Sequence, residues 1–76
     1  MLLEISKGAV IEALGERVTI RNILFQQVSV SNSRDIEDMA DVEFIDTNGK
    51  YRHWQSWSDG GTLIYNDKRY KFKREV

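Results

Sequence analysis

The chain has 76 residues, no cysteine, no proline and a formal net charge of −1. That length makes one domain near the lower limit for a self-sufficient core. The missing cysteines exclude disulfide staples, thiolate catalysis, zinc ribbons and iron–sulfur ligation. A hydrophobic fraction of 41% beside 30% charged residues suits a folded globular protein rather than a disordered one. No apolar run approaches the ~20 residues that span a bilayer. The stretch Met1–Lys7 lacks the basic and apolar regions of a signal peptide, so the expected location is the cytoplasm, without a membrane partner.

Leu2 to Ser6 reads as a first strand. In Gly8–Gly15, Val10, Ile11 and Leu14 fall at helical spacing, with Ser6 to cap the start and Gly15 the end, so a short helix is expected. A strand turning at Gly15 is the competing reading. Arg17 to Arg21 alternates apolar and polar and reads as a strand. Ile23 to Val30 continues in β-type residues but out of phase, which predicts a bulge or bend near Asn22. Ser31-Asn32-Ser33 signals a loop. Ile36, Met39 and Ala40 at i, i+3 and i+4 then allow one or two helical turns, with Asp35 and Glu37 suited to the helix N-terminus.

The second half is clearer. Val42–Asp46, Asn48-Gly49 and Lys50–Trp57 make a hairpin signal, with Asn-Gly suited to a type I′ turn. Ser58–Gly61 is a second turn. Thr62–Tyr65 and Arg69–Lys73 form another strand pair around Asn66–Lys68. Four consecutive strands with short turns make a meander. The expected fold is therefore mostly β, a small curled antiparallel sheet of five or six strands or an SH3-like or OB-like barrel, with one short N-terminal helix. The alternative is an α+β sheet with a helix on one face.

The residues that carry chemistry are sparse. His53 is the only histidine, and no metal-ligand spacing surrounds it. His53, Ser56 and Asp59 are the residue types of a hydrolytic triad, but a strand and its following turn do not converge them. Asp59-Gly60-Gly61 lacks the phosphate-loop patterns and reads as turn chemistry. The acids at 35–46 (Asp35, Glu37, Asp38, Asp41, Glu43, Asp46) lack the calcium-loop pattern. No catalytic residue, metal site or cofactor is expected, and neither is an enzyme.

What remains is surface. Residues 1–49 carry a net charge of −5 and residues 50–76 a net +4. That split fits either a partner-facing surface or segments that pair with each other inside the sheet. Six of the eight aromatics lie between Tyr51 and Phe72. In Lys68–Arg74, aromatics and cations alternate, so Tyr70 and Phe72 share one strand face and Arg69, Lys71 and Lys73 the other. On the preceding strand, Arg52 and Trp54 share one face, and Tyr51, His53, Gln55 and Trp57 the opposite one. Most of these aromatics must form the core of so small a domain.

The candidate binding residues are Arg52, Trp54, Trp57, Arg69, Lys71 and Lys73. The expected function is a non-enzymatic interaction or assembly module that binds a protein partner or itself. The second reading is single-stranded nucleic acid, held by base stacking on aromatics flanked by cations. In its compactness, its hairpin-rich C-terminal half and its lack of catalytic spacing, the chain resembles small phage- and prophage-type accessory proteins. No motif carries that resemblance, and no residue role follows from it.

Overall fold

A computed structural model of the chain describes residues 2–29 and 36–73, and every element among them is a strand. These are β1 (Leu2–Ser6), β2 (Val10–Ala13), β3 (Glu16–Ser29), β4 (Ile36–Ile45), β5 (Tyr51–Asp59), β6 (Thr62–Tyr65) and β7 (Lys68–Lys73). They form one sheet in the order β1-β7-β6-β5-β4-β3-β2. From β2 to β7 each strand pairs antiparallel with the next, while β1 pairs parallel with β7.

That order forces the sheet to curl. β1 and β2 sit at its opposite ends, yet only Lys7, Gly8 and Ala9 join them. A flat seven-stranded sheet would separate its end strands by ~29 Å, whereas the chain from Ser6 to Val10 reaches ~14 Å at most. The sheet therefore bends into a half-barrel. Its joint is stitched by backbone bonds: the Ala9 N–H donates to the Ser6 carbonyl at 2.9 Å, and Gly8 donates to the Ile20 carbonyl at 2.7 Å. The Ile20 N–H in turn donates to the Ala9 carbonyl at 2.8 Å. Two residues thus face one across the ladder, a bulge whose first position is Gly8 at φ 92°.

The concave face holds the core: Ile5, Val18, Ile20, Ile23, Ala40, Val42, Phe44, Leu63 and Tyr70 are buried on it. Among the described residues, ten make up the buried apolar set. Each large one contributes ~1.5–3 kcal/mol of burial, so a domain of this size has few to lose.

Two expected helices are strands instead. In β2, Ile11 and Ala13 turn inward while Val10 and Glu12 face out, a period of two. The i, i+3, i+4 pattern of residues 10–14 was degenerate with it. Tight turns at Gly8 and at Leu14-Gly15 leave only the five residues Ala9–Ala13 between them, too few for a stable helix. Residues 36–40 likewise open β4, with Ala40 inward and Met39 outward, because the ladder to β3 satisfies every residue from Ile36 on. The expected loop at Ser31–Ser33 lies outside the described residues, as does Asp35.

The bulge expected near Asn22 is present: register shifts between Ile20 and Asn22, leaving Arg21 as the extra residue, and one continuous β3 replaces two strands. The Asn48-Gly49 turn differs from expectation. Gly49 has φ 79°, but Asn48 does not take a positive φ, and Gly49 donates to the Asp46 carbonyl at 3.0 Å. This is a three-residue loop closed by glycine, not a two-residue type I′ turn. Two positive φ values in a row occur elsewhere, at Leu14-Gly15, Gly60-Gly61 and Asn66-Asp67.

Leu14 is the costly one, because a branched, large side chain at φ 56° meets the carbonyl clash that glycine and asparagine tolerate. Leu14→Asn restores Asn-Gly in this turn and is expected to stabilise the chain by ~0.5–1 kcal/mol, a rise of a few degrees in Tm. A fall in Tm would show that Leu14 packs more than it strains.

Candidate interaction surface

The inward-pointing residues of β5 close one mouth of the half-barrel. Arg52 lies over the Phe44 ring, 5.6 Å from its centroid, and reaches Glu16 at 3.4 Å and Asp46 at 3.6 Å. Glu16 also accepts from the Thr47 N–H at 3.0 Å. Trp54 packs between Phe44 and Tyr65, at ring-centroid distances of 5.4 and 5.2 Å. Its Nε1–H is buried without an acceptor. These side chains are committed to the interior and its rim.

Asp46 is the electrostatic keystone of this mouth. Its buried carboxylate accepts from the N–H groups of Asn48 at 2.9 Å and Lys50 at 3.0 Å. The Lys50 N–H is the main cause that holds its pKa below the ordinary carboxylate value of 3.8. Burial opposes the shift, while Asn48 and Arg52 add to it. A lowered folded pKa stabilises the fold above the ordinary value, and that stabilisation disappears as pH falls through the folded one. Wild type is therefore expected to melt above Asp46→Asn at neutral pH, with the gap closing as pH falls below the ordinary carboxylate value of 3.8. A gap that stays constant through that fall would deny the charge any role.

The outward-pointing residues build a different surface. Cross-strand register aligns Gln26, Met39, Trp57, Ile64, Arg69 and Leu2 in one row over β3, β4, β5, β6, β7 and β1. Trp57 sits at the middle of that row and is 56% exposed. Met39 and Ile64 flank it, half-buried. Leu24 and Val28, both exposed, extend the apolar area along β3.

Charge is divided about this stripe. On the β4 side stand Asp41 and Glu43, with His53 Nδ1 3.4 Å from Asp41. On the β7 side stand Arg69, Lys71 and Lys73, all exposed. Arg69 is tied to Asp59 at 2.7 Å, and Lys71 lies opposite Glu4. Tyr70 and Phe72 share one face, as their alternation predicts, and that face is the inward one. The acidic strand β4 and the basic strand β7 do not adjoin, since β5 and β6 lie between them, while the β4–β5 and β1–β7 ladders join residues 1–49 to residues 50–76. Among the described residues, internal pairing between the two halves joins Glu16 and Asp46 to Arg52 and Asp41 to His53, and sets Glu4 opposite Lys71.

Scans of this chain against protein-family models, curated proteins and solved structures find no match. Its surface must be read on its own chemistry.

The six candidate residues thus divide between two faces. Arg52 and Trp54 belong to the concave side, Trp57, Arg69, Lys71 and Lys73 to the convex side. Met39, Ile64, Leu24 and Val28 join the convex set, and sequence reasoning missed them. Met39 was hidden by a helical reading of 36–40, and Leu24 and Val28 by the unclear phase of β3. The triad residue types stay apart, with Ser56 inward, donating to the Ile64 carbonyl at 2.6 Å, and His53 outward. Among the described residues no three His, Asp or Glu side chains gather as a metal site. No helix among them is long and apolar enough to cross a membrane.

Proposed function

We propose that this chain is a non-enzymatic interaction module that docks a protein through the convex stripe centred on Trp57. One observation carries the reading. A tryptophan more than half exposed stands between two half-buried apolar neighbours, at the boundary of an acidic and a basic flank. Exposed tryptophans ringed by apolar contacts are the residue type that dominates protein interfaces, and flanking charges of both signs orient a partner.

The test is a photo-crosslinking side chain placed at position 57, with position 67 on the far turn as control. Discrete protein adducts from 57 alone are expected. Equal adducts from both positions, or none from either, would defeat the reading.

Single-stranded nucleic acid remains the second reading, because Trp57, Arg69, Lys71 and Lys73 share the convex face. Asp41 and Glu43 stand on that same face and repel phosphate. Under the first reading, oligonucleotides leave the Trp57 fluorescence unchanged even at low salt. A salt-sensitive quench would favour the second.

A further inference from the structure

β3 is fourteen residues long, but β2 covers only its start. The β2 ladder spans Glu16 to Thr19, and the bulge at Gly8 and Ala9 extends it to Ile20. From Asn22 to Ser29, β3 pairs with β4 on one side, and among the described residues no strand pairs with the other. Exposure rises along this stretch, from buried Ile23 through half-buried Phe25 to exposed Gln26–Ser29.

An open strand edge is ordinarily blunted by charge, proline or shortness. The other edges here follow that rule: β2 is four residues long and carries Glu12, and β1 is five and carries Glu4. Asn22–Ser29 has no charge, no proline and no glycine, and it is rich in strand formers. Among the described residues it is the one long edge without a charge, a proline or a glycine.

We propose that this edge pairs antiparallel with the same edge of a second copy of the chain, forming a two-fold dimer with a continuous sheet. The occupant follows from charge. An isologous antiparallel pair sets the segment against its own reverse, each residue facing the one equally far from the axis on the other side, and because Asn22–Ser29 carries no charge this self-pair opposes no like charges. The acids Glu37, Asp38 and Asp41 lie one strand back, on β4. Across the dimer the two β4 strands stand three strand spacings apart, ~14 Å, beyond the ~8 Å over which salt leaves charges in contact. A two-fold axis at Gln26 sets Leu24 of one copy opposite Val28 of the other, pairing the exposed apolar residues of the edge. The rows through Gln26, Met39 and Trp57 then run on from one copy into the next. The contact is a backbone edge with Leu24 and Val28 at the outer margin of the convex surface, and Trp57 lies two strands away on β5, so separate variants test the two proposals.

The test is solution mass by light scattering over a dilution series of the full chain, with a Leu24→Lys/Val28→Lys double variant and with Trp57→Ala. Inside one chain the two lysines face Asp41 and Glu37 across the β3–β4 ladder, so the fold is not harmed. Across the two-fold, lysine meets lysine twice. Wild type is expected at twice its 8.9 kDa mass. Trp57→Ala should match it, and the double variant should dissociate at a concentration at least about tenfold higher. Amide exchange over 23–29 should slow as wild type is concentrated and should not do so in the variant. A wild type that stays monomeric into the millimolar range would overturn the proposal, as would a dimer indifferent to the lysines. A dimer lost in Trp57→Ala and kept in the double variant would also overturn it, and would assign self-association to the stripe.

Discussion

Phe44→Ala is expected to remove much of the chain's stability. Phe44 is the largest fully buried side chain, and it supports both Trp54, which meets its ring edge, and Arg52, which covers its face. Truncating a buried phenylalanine costs ~3–5 kcal/mol, through lost burial and the cavity left behind. A domain of this length has ~4–11 kcal/mol in total. With so few large core residues, no neighbouring cluster takes up the space. Urea unfolding followed by tryptophan emission reads the loss directly, since Trp54 reports on the site. The conservative Phe44→Leu should keep most of the stability. A fall of less than ~5 °C in the Tm of Phe44→Ala, about 1 kcal/mol, would place the centre of the core elsewhere.

The sequence was most legible where local rules are strong. Period-two alternation grouped the residues of β5 and β7 by face, Trp54 with Arg52 apart from Trp57, and Tyr70 with Phe72 apart from Arg69 and Lys71, while which face turns inward came only from the fold. The phase change at Asn22 announced the bulge, because an inserted residue inverts alternation whatever surrounds it. Short apolar runs misled. Val10-Ile11 with Leu14, and Ile36 with Met39 and Ala40, satisfy the helical and the extended pattern alike, and only ladder partners distant in sequence decide between them. Thr19 and Val18 supply those partners for β2, and Phe25 with its neighbours for β4. The Asn48-Gly49 turn was displaced by another non-local choice: Asp46 binds the Asn48 and Lys50 amides and draws the loop into three residues.

The candidate surface was half legible for the same reason. Residues could be grouped by face strand by strand, but which face is outward and how the strands align into one row depend on register and curl, which are not written in local pattern. Arg52 and Arg69 look equivalent in the sequence, each one position from an aromatic. Curling places them on opposite sides of the sheet, one over the core mouth and the other on the convex face. A stripe of apolar side chains between acidic and basic flanks exists only once β4, β5, β6 and β7 are in order.

Trp57→Ala is expected to abolish docking while leaving the fold intact. Its side chain is 56% exposed, and its cross-strand neighbours Met39 and Ile64 are held by their own strands. The loss in stability is thus that of a surface strand pair, ~0.2–1 kcal/mol, and Tm should move by a few degrees at most. A tryptophan at the centre of an interface carries ~2 kcal/mol or more, so affinity for the protein crosslinked at position 57 should drop at least about thirtyfold. Trp54→Ala should do the reverse, costing ~3–5 kcal/mol of stability because Trp54 lies between Phe44 and Tyr65. The two tryptophans also differ in reach: iodide in solution should quench Trp57 and spare Trp54, and docking should remove that quenching. If Trp57→Ala binds as wild type does, the stripe is a bare surface of the sheet. If it unfolds instead, Trp57 belongs to the core, and the division of the two faces is wrong.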